Sequence, residues 1–261
     1  MSNKNVLAIA AHPDDIEFVM AGTLLQLAAR GWEVHYFNVA NGCCGSMTLS
    51  QEECSATRLR EAQAAAALIP AKFYPPICND LEIAYSTELL QRVASIVRVA
   101  QPQIVLTHSL VDYMEDHQYA ARLAVTAAFV RGMPSYRPQP SAAAYQDDVA
   151  VYHAQPHGNR TPMGEIVKPT HYVDVTKFSE RKQQLLRAHA SQGVWLDDTQ
   201  RMGSYIDTML DLNREVGSFS GRFELAEGWR RHLHLGLSTS GFDPLREALG
   251  EECHWHPNEV H

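Results

Sequence analysis

The segment Ala11-His12-Pro13-Asp14-Asp15 places one imidazole and two carboxylates within four residues, directly after the apolar run Val6 to Ala11. Imidazole with carboxylate is an ordinary ligand set for Zn²⁺. His12 and Asp15, three positions apart, can turn toward one point as the chain enters the next helix, which leaves Asp14 beside the metal without being a ligand. A catalytic zinc site takes three protein ligands and keeps one position open for water. Much later in the chain, Asp116-His117 offers His117 as the best-placed third ligand. A metal so held acidifies water and polarises a carbonyl, while an adjacent unligated carboxylate can accept the proton and return it to a leaving group.

Each pair also has a plainer reading. Asp14 or Asp15 could simply cap the helix that begins near Ile16, and Asp116-His117 could be a cap beside a surface ring at another helix start. Neither pair decides alone, and the conjunction of the two after strand-like runs is what points to metal chemistry.

The elements that must position them read as follows. Val6 to Ala11 is a buried strand, Ile16 to Arg30 a helix stopped by Gly31, and Glu33 to Val39 a second strand, which together make a βαβ unit. Ser50 with Glu53 marks the start of an Ala-rich helix over Gln51 to Leu68. A further helix is expected from Thr87 to Val99, and Gln103 to Thr107 is a buried strand that delivers His108 and Asp112 at its end. In open α/β sheets ligands bind beyond the carboxyl ends of strands, so the two polar clusters could share one cleft. Beyond about Gly132 the texture changes: prolines break the chain, Val149 to His153 and His171 to Val175 read as strands, and Phe178 to Ala190 as a helix. The expectation is an α/β fold, Rossmann-like and three-layered with a mostly parallel sheet, in which residues 1–131 carry both motifs and residues 132–261 form a smaller capping part of the same domain. The tail from about Ser238, with His254, His256 and His261, is expected to pack on the surface or fray.

The two motifs resemble those of the N-acetylglucosaminyl-phosphatidylinositol de-N-acetylase family, also called PIG-L or LmbE-like deacetylases. Its opening signature matches Ala11 to Asp15, and its second, ending in Asp-His, matches Asp112 to His117. Weaker matches run through Arg58-Leu59-Arg60-Glu61, Tyr172 to Thr176, and His189-Ala190-Ser191-Gln192, so the likeness covers most of the chain. It implies a zinc-dependent hydrolase that removes an N-acetyl or similar N-acyl group from an amino sugar or glycoconjugate. His12, Asp15 and His117 would hold Zn²⁺, Asp14 would be the general base, and Asp116 would orient a histidine. His189 would act near the scissile group, and Arg58 would bind substrate. Relatives of this type often form homo-oligomers. One departure is Met114, where many members of the family carry a histidine that steadies the oxyanion or protonates the leaving group. Methionine can do neither, so zinc, His189 or His108 would have to stabilise the developing charge, and a non-catalytic metal- or sugar-binding protein is the alternative. Without the likeness, Arg58 reads equally well as a solvated helix charge, and His189 as a satisfied core or helix-end histidine.

Composition excludes several other classes. At 261 residues, with 45% apolar and 20% charged residues, the chain has the makeup of an ordinary globular enzyme-sized domain. Twenty-two basic against 30 acidic residues give a formal charge of -8, with no basic run dense enough to follow a nucleic-acid backbone. No G-x-G-x-x-G turn follows the first strand, which argues against a dinucleotide site. The five cysteines form no C-x-x-C pair, and the apolar run before His12 is too short for a signal core or a membrane span, so a reduced, cytoplasmic protein without a membrane segment is expected. The Asn41 to Ser46 loop could rim the pocket. Its adjacent Cys43 and Cys44 read as small packing residues, because vicinal cysteines rarely chelate one zinc.

Overall fold

The run that begins at Val6 becomes the middle of a parallel sheet, because its residues are apolar on both faces and a strand so composed is stable only between two layers. The computed structural model describes residues 3–193 and 205–256. Its strands are β1 (Asn5–Ala10), β2 (Glu33–Asn38), β3 (Lys72–Tyr74), β4 (Ile104–Thr107), β5 (Ala150–Ala154), β6 (His171–Asp174), β7 (Ala226–Arg231) and β8 (Cys253–Trp255). They form one eight-stranded sheet in the order β3-β2-β1-β4-β5-β7-β6-β8. The first five are mutually parallel, and β7, β6 and β8 extend the sheet by antiparallel pairing. The α/β class with a mostly parallel sheet is as expected, and the strands beyond residue 132 continue that same sheet.

The helices are α1 (Asp15–Val19), α2 (Ala21–Ala28), α3 (Gln51–Leu68), α4 (Thr87–Ala100), α5 (Glu115–Phe129), α6 (Ser179–Arg187), α7 (Tyr205–Ser220) and α8 (Pro244–Leu249). Alternation along β1 divides the core. Val6, Ala8 and Ala10 pack with Leu24 of α2, Ala62 of α3 and Leu185 of α6. Leu7 and Ile9 face Val93 and Val97 of α4 and Leu123 and Ala127 of α5. Ser50 and Glu53 form the capping box expected at the start of α3. Among the described residues no helix is long and apolar enough to cross a membrane.

Two local expectations are corrected. The helix expected from Ile16 to Arg30 is broken at Met20, whose φ is -131°. The amides of Gly22 and Thr23, buried at the new helix start and without partners inside the helix, donate to Glu227 of β7, at 2.8 and 2.7 Å. A carboxylate there satisfies donors that a helix start leaves free and complements its dipole. Lys182 Nζ, itself buried, balances the charge at 2.6 Å. As far as residue 256 the tail from Ser238, for which no regular element was expected, packs on the body of the fold: it forms α8 and then the edge strand β8 on β6. Asp243 ties it down, accepting hydrogen bonds from Tyr152 Oη at 2.7 Å and His171 Nε2 at 2.9 Å while capping α8. Of the histidines in this tail, His261 lies outside the described residues.

Burial opposes ionisation of Asp243, but the hydrogen bonds from His171 and Tyr152 outweigh it and bring the carboxyl down to about 2. A carboxylate whose folded pKa lies below its unfolded value stabilises the fold above about pH 4 and loses that contribution as the pH falls toward about 2. Asp243→Asn is therefore expected to lower the unfolding free energy near neutral pH by about 2 kcal/mol. Urea unfolding at a series of pH values checks this: the deficit should shrink below about pH 4, and a deficit unchanged by pH would contradict it.

Candidate metal centre and catalytic cavity

Strands β1 and β4 are neighbours, in register from Val6↔Ile104 to Ile9↔Thr107, although β2 and β3 lie between them in the chain. The chain leaves β1 toward one side of the sheet and returns on the other, which makes this a switch point where a crevice opens beyond the strand ends. His12 to Asp15 leave β1 there, and His108 to His117 leave β4. Two hydrogen bonds lock the exits together: Thr107 Oγ1 donates to the Ile9 carbonyl at 2.9 Å, and the Ala11 amide donates to His108 Nε2 at 3.0 Å.

One ligand atom each from His12, Asp15 and His117 lies within 4.8 Å of the other two. His12 directs Nε2 to Asp116 Oδ2 at 2.9 Å, which leaves Nδ1 3.4 Å from Asp15 Oδ2. His117 directs Nδ1 to Asp112 Oδ1 at 3.0 Å, which leaves Nε2 3.5 Å from Asp15 Oδ1. Each imidazole is thus oriented by a carboxylate behind it and presents its other nitrogen to the same carboxylate in front, the pattern of histidines that hold a metal. Both supports are themselves anchored. Asp116 also accepts from the Leu81 amide at 2.8 Å, and Asp112 Oδ2 from the His157 amide at 3.1 Å. Burial opposes a charge on His12, yet Asp116 and Asp15 raise its pKa to about 10. Burial likewise opposes charge on His117, and Asp15 and Asp112 overcome it and raise its pKa. The centre carries surplus negative charge, and a divalent cation fits it by donor type, donor number and charge.

The cap readings of the acidic pairs do not hold. Asp14 makes no cap hydrogen bond to α1, and its backbone takes φ 104°, a left-handed conformation costly for a residue other than glycine. Asp116 makes no cap bond to α5, and His117 is buried. Asp14 instead lines the cavity. Its Oδ2 accepts from Tyr205 Oη at 2.6 Å, and its Oδ1 lies 3.6 Å from Arg58 Nη2. Burial pushes this carboxyl up to about 6, against the pull of Arg58.

Arg58 is 1% exposed, so it is no solvated helix charge. It donates through Nη2 to the Pro13 carbonyl at 2.5 Å and through Nη1 to Gln192 Oε1. Glu61, one turn on, accepts from the amide and hydroxyl of Ser191 at 2.9 and 2.6 Å. Two of the three weaker sequence motifs therefore bind each other. The Asn41 to Ser46 loop packs against the same arginine, and a Cβ on Gly45 would stand 2.8 Å from Arg58 Nη1. His189 is brought near but not into the cavity: it is buried behind Asp14, with Nε2 3.1 Å from Glu17 Oε2. Burial works against its imidazolium, and Glu17 raises its pKa nonetheless.

The cavity has a volume of about 320 Å³, near the lower end of ligand sites. Sequence reasoning missed Tyr205, Gln155 and His157 on its wall, and Asp80 beneath the loop. His157 sits against Phe18 and Tyr113, with ring centroids 5.2 and 5.5 Å away. His108 stacks on His117 at 4.2 Å, and because its Nε2 accepts from Ala11 it has no proton there to donate. No local pattern marks Tyr205 or His157, whose segments carry neither motif.

The family likeness drawn from the two motifs holds. Residues 7–128 match the PIG-L family model, described as GlcNAc-PI de-N-acetylase, and that span contains both motifs. Over 199 residues, 72% of this chain and 70% of the other, the sequence is 26% identical to a diacetylchitobiose deacetylase of Thermococcus kodakarensis. Over 197 residues, 72% of this chain and 74% of the other, it is 26% identical to a 4-oxalmesaconate hydratase of Pseudomonas putida. The fold superposes on the N,N'-diacetylchitobiose deacetylase of Pyrococcus horikoshii with a TM-score of 0.75 at 26% identity, covering 93% of this chain and 88% of that one.

Asp112→Asn keeps the size of the side chain that backs His117 but weakens its hold. Cation affinity is expected to fall about 10- to 100-fold, read by equilibrium dialysis of the metal-free protein. Unchanged affinity would mean that His117 is not a ligand.

Proposed function

We propose that this chain, matched by the PIG-L model across both of its motifs, is a Zn²⁺-dependent amide hydrolase that removes an N-acetyl or similar N-acyl group from an amino sugar or a glycoconjugate. The observation that carries the reading is the free carboxylate of Asp14, held by Tyr205 and Arg58 on the wall of the cavity that also exposes His12, Asp15 and His117. These three residues would hold the cation, which supplies Lewis acidity to water and to the amide carbonyl. Asp14 takes a proton from the attacking water and delivers it to the departing nitrogen. The new bond joins water oxygen to the acyl carbon, the carbon–nitrogen bond breaks, and acetate and a free amine leave. Asp116 orients His12, and Arg58 borders the substrate's path while holding the turn that carries Asp14. His189 steadies that turn from behind through Glu17. His157, which faces the cavity from between Phe18 and Tyr113, takes over the donor role that Met114 cannot perform toward the developing oxyanion. The whole chain is read as one unit, since Gln155, His157, Gln192 and Tyr205 from residues 132–261 complete the wall.

The relative that hydrates 4-oxalmesaconate motivates a second reading, in which the same water-activating groups add water to an unsaturated acid. Charge favours the first. Even against the guanidinium of Arg58 and a bound divalent cation, the four carboxylates of Asp14, Asp15, Asp80 and Asp112 that line the cavity leave it net negative, a setting that disfavours an anionic ligand and accepts a neutral amide and its cationic amine product.

Two measurements test this. The zinc-loaded protein should release acetate from N-acetylated mono- and disaccharides. Asp14→Asn should keep the cation while kcat falls about 10²- to 10⁴-fold. Release from none of these sugars, with water added instead to an unsaturated dicarboxylic acid, would transfer the assignment to the hydratase reading, and sugar binding without turnover would make the protein a non-catalytic binder. Separately, His157→Ala should lower kcat about 10²- to 10³-fold, and adding Met114→His should restore part of it; a His157→Ala protein with full kcat would remove His157 from the reaction.

A further inference from the structure

A second group of soft and acidic donors stands on the cavity wall, and the hydrolase reading does not use it. Cys43 and Cys44 sit on the loop between β2 and α3, with Cys43 buried and Cys44 exposed. Their Sγ atoms are 3.8 Å apart. Two thiolates sharing one tetrahedral zinc, with Zn–S bonds of about 2.3 Å, stand about 3.8 Å apart. The objection to adjacent cysteines as a chelating pair is that their side chains usually diverge, and here they converge.

Asp80 completes the group. Its Oδ1 accepts from the Gly42 amide at 2.7 Å and its Oδ2 from the Cys44 amide at 2.9 Å, so the carboxylate is fixed under the loop by the backbone that carries the thiols. One oxygen of Asp80 and both sulfurs lie within 4.8 Å of one another. The loop cannot easily turn away, because a Cβ on Gly42 would already stand 2.9 Å from Arg58 Nε. Burial, with Cys43 and Asp80 nearby, raises the Cys44 thiol to about 11, so a cation must displace its proton to bind.

We propose that Cys43, Cys44 and Asp80 form a second cation site, for a soft divalent ion such as Zn²⁺ or Cd²⁺, on the wall of the catalytic cavity. Binding forms two metal–sulfur bonds and releases two thiol protons to solvent, with no change of oxidation state. Sulfur donors separate this site by chemistry from the nitrogen and oxygen donors of His12, Asp15 and His117. Cys44 and Asp80 line the same cavity as Asp14 and Asp15, so an ion held there narrows the cavity and adds positive charge to its wall. Excess zinc is then inhibitory, a consequence that rests on the hydrolase reading, whereas the site itself does not.

The test is titration of the reduced, metal-free full chain with Co²⁺. Imidazole and carboxylate give cobalt no thiolate charge-transfer band in the near ultraviolet, so such a band reports binding by cysteine, and its loss in Cys44→Ser assigns it to the second site rather than to Cys54, Cys78 or Cys253. The expected result is a band that appears as a second equivalent binds and is lost in Cys44→Ser, which should retain the first equivalent. If the protein also hydrolyses amides, Cys44→Ser should tolerate at least about tenfold more zinc before inhibition. No band through an excess of cobalt, or a band that survives in Cys44→Ser, overturns the proposal. A band in a protein that hydrolyses no amide leaves the second site standing and removes only the hydrolase reading.

Discussion

The pairing of β1 with β4 sets how far apart the two turns that carry His12, Asp15 and His117 stand. Parallel strands lie about 4.8 Å apart, and the register from Val6↔Ile104 to Ile9↔Thr107 brings both turns out of the sheet at the same level. Any slip of that register would carry His12 away from Asp116 and His117 from Asp15. The hydrogen bonds from Thr107 to Ile9 and from Ala11 to His108 sit at the point where slippage would begin. The buried apolar faces of β1 supply the energy that holds the register, and the polar turns inherit the precision of a packed core.

Charge is the second organising quantity. Carboxylates concentrate on and just behind the cavity wall, and each has a distinct restraint: Asp112 by His117 and two amides, Asp116 by His12 and the Leu81 amide, Asp80 by the loop amides, Asp15 by the His12 amide, Asp14 by Tyr205 and Arg58. Placing ionised groups so close in a buried site is unfavourable unless cations or hydrogen-bond donors offset them. Among the described residues Arg58 is the one guanidinium of the cavity wall, and its two terminal nitrogens donate to the Pro13 carbonyl and Gln192, which fixes the strained Asp14 turn.

Legibility from sequence followed locality. The dense motifs at Ala11 to Asp15 and Asp112 to His117 pointed to one shared group of ligand-type side chains, which the structure brings together, since several donor types in a few residues after a buried strand are rare as packing. The start of α3 was legible because both halves of its capping box lie within four residues. The break at Met20 was not, because the carboxylate that causes it is 205 residues from Gly22. Tyr205 and His157 reach the cavity from a helix and a turn with no pattern of their own, and Cys43 with Cys44 gained meaning only when Asp80 arrived beneath them. β7 and β8 were missed for a related reason: Ala226–Arg231 ends in two arginines, and Cys253–Trp255 is too short to show alternation.

The salt bridge between Glu227 and Lys182 reaches beyond stability. Glu227 belongs to β7, yet the amides it secures open the helix that follows the first ligand turn by only a few residues. As the chain is synthesised, the anchor at Glu227 emerges more than two hundred residues after His12 and Asp15, whose neighbourhood it secures. The bracing of this turn is accordingly completed late in the life of the nascent polypeptide, and a prematurely terminated product lacking β7 would leave the ribosome without the carboxylate that secures the helix behind His12 and Asp15.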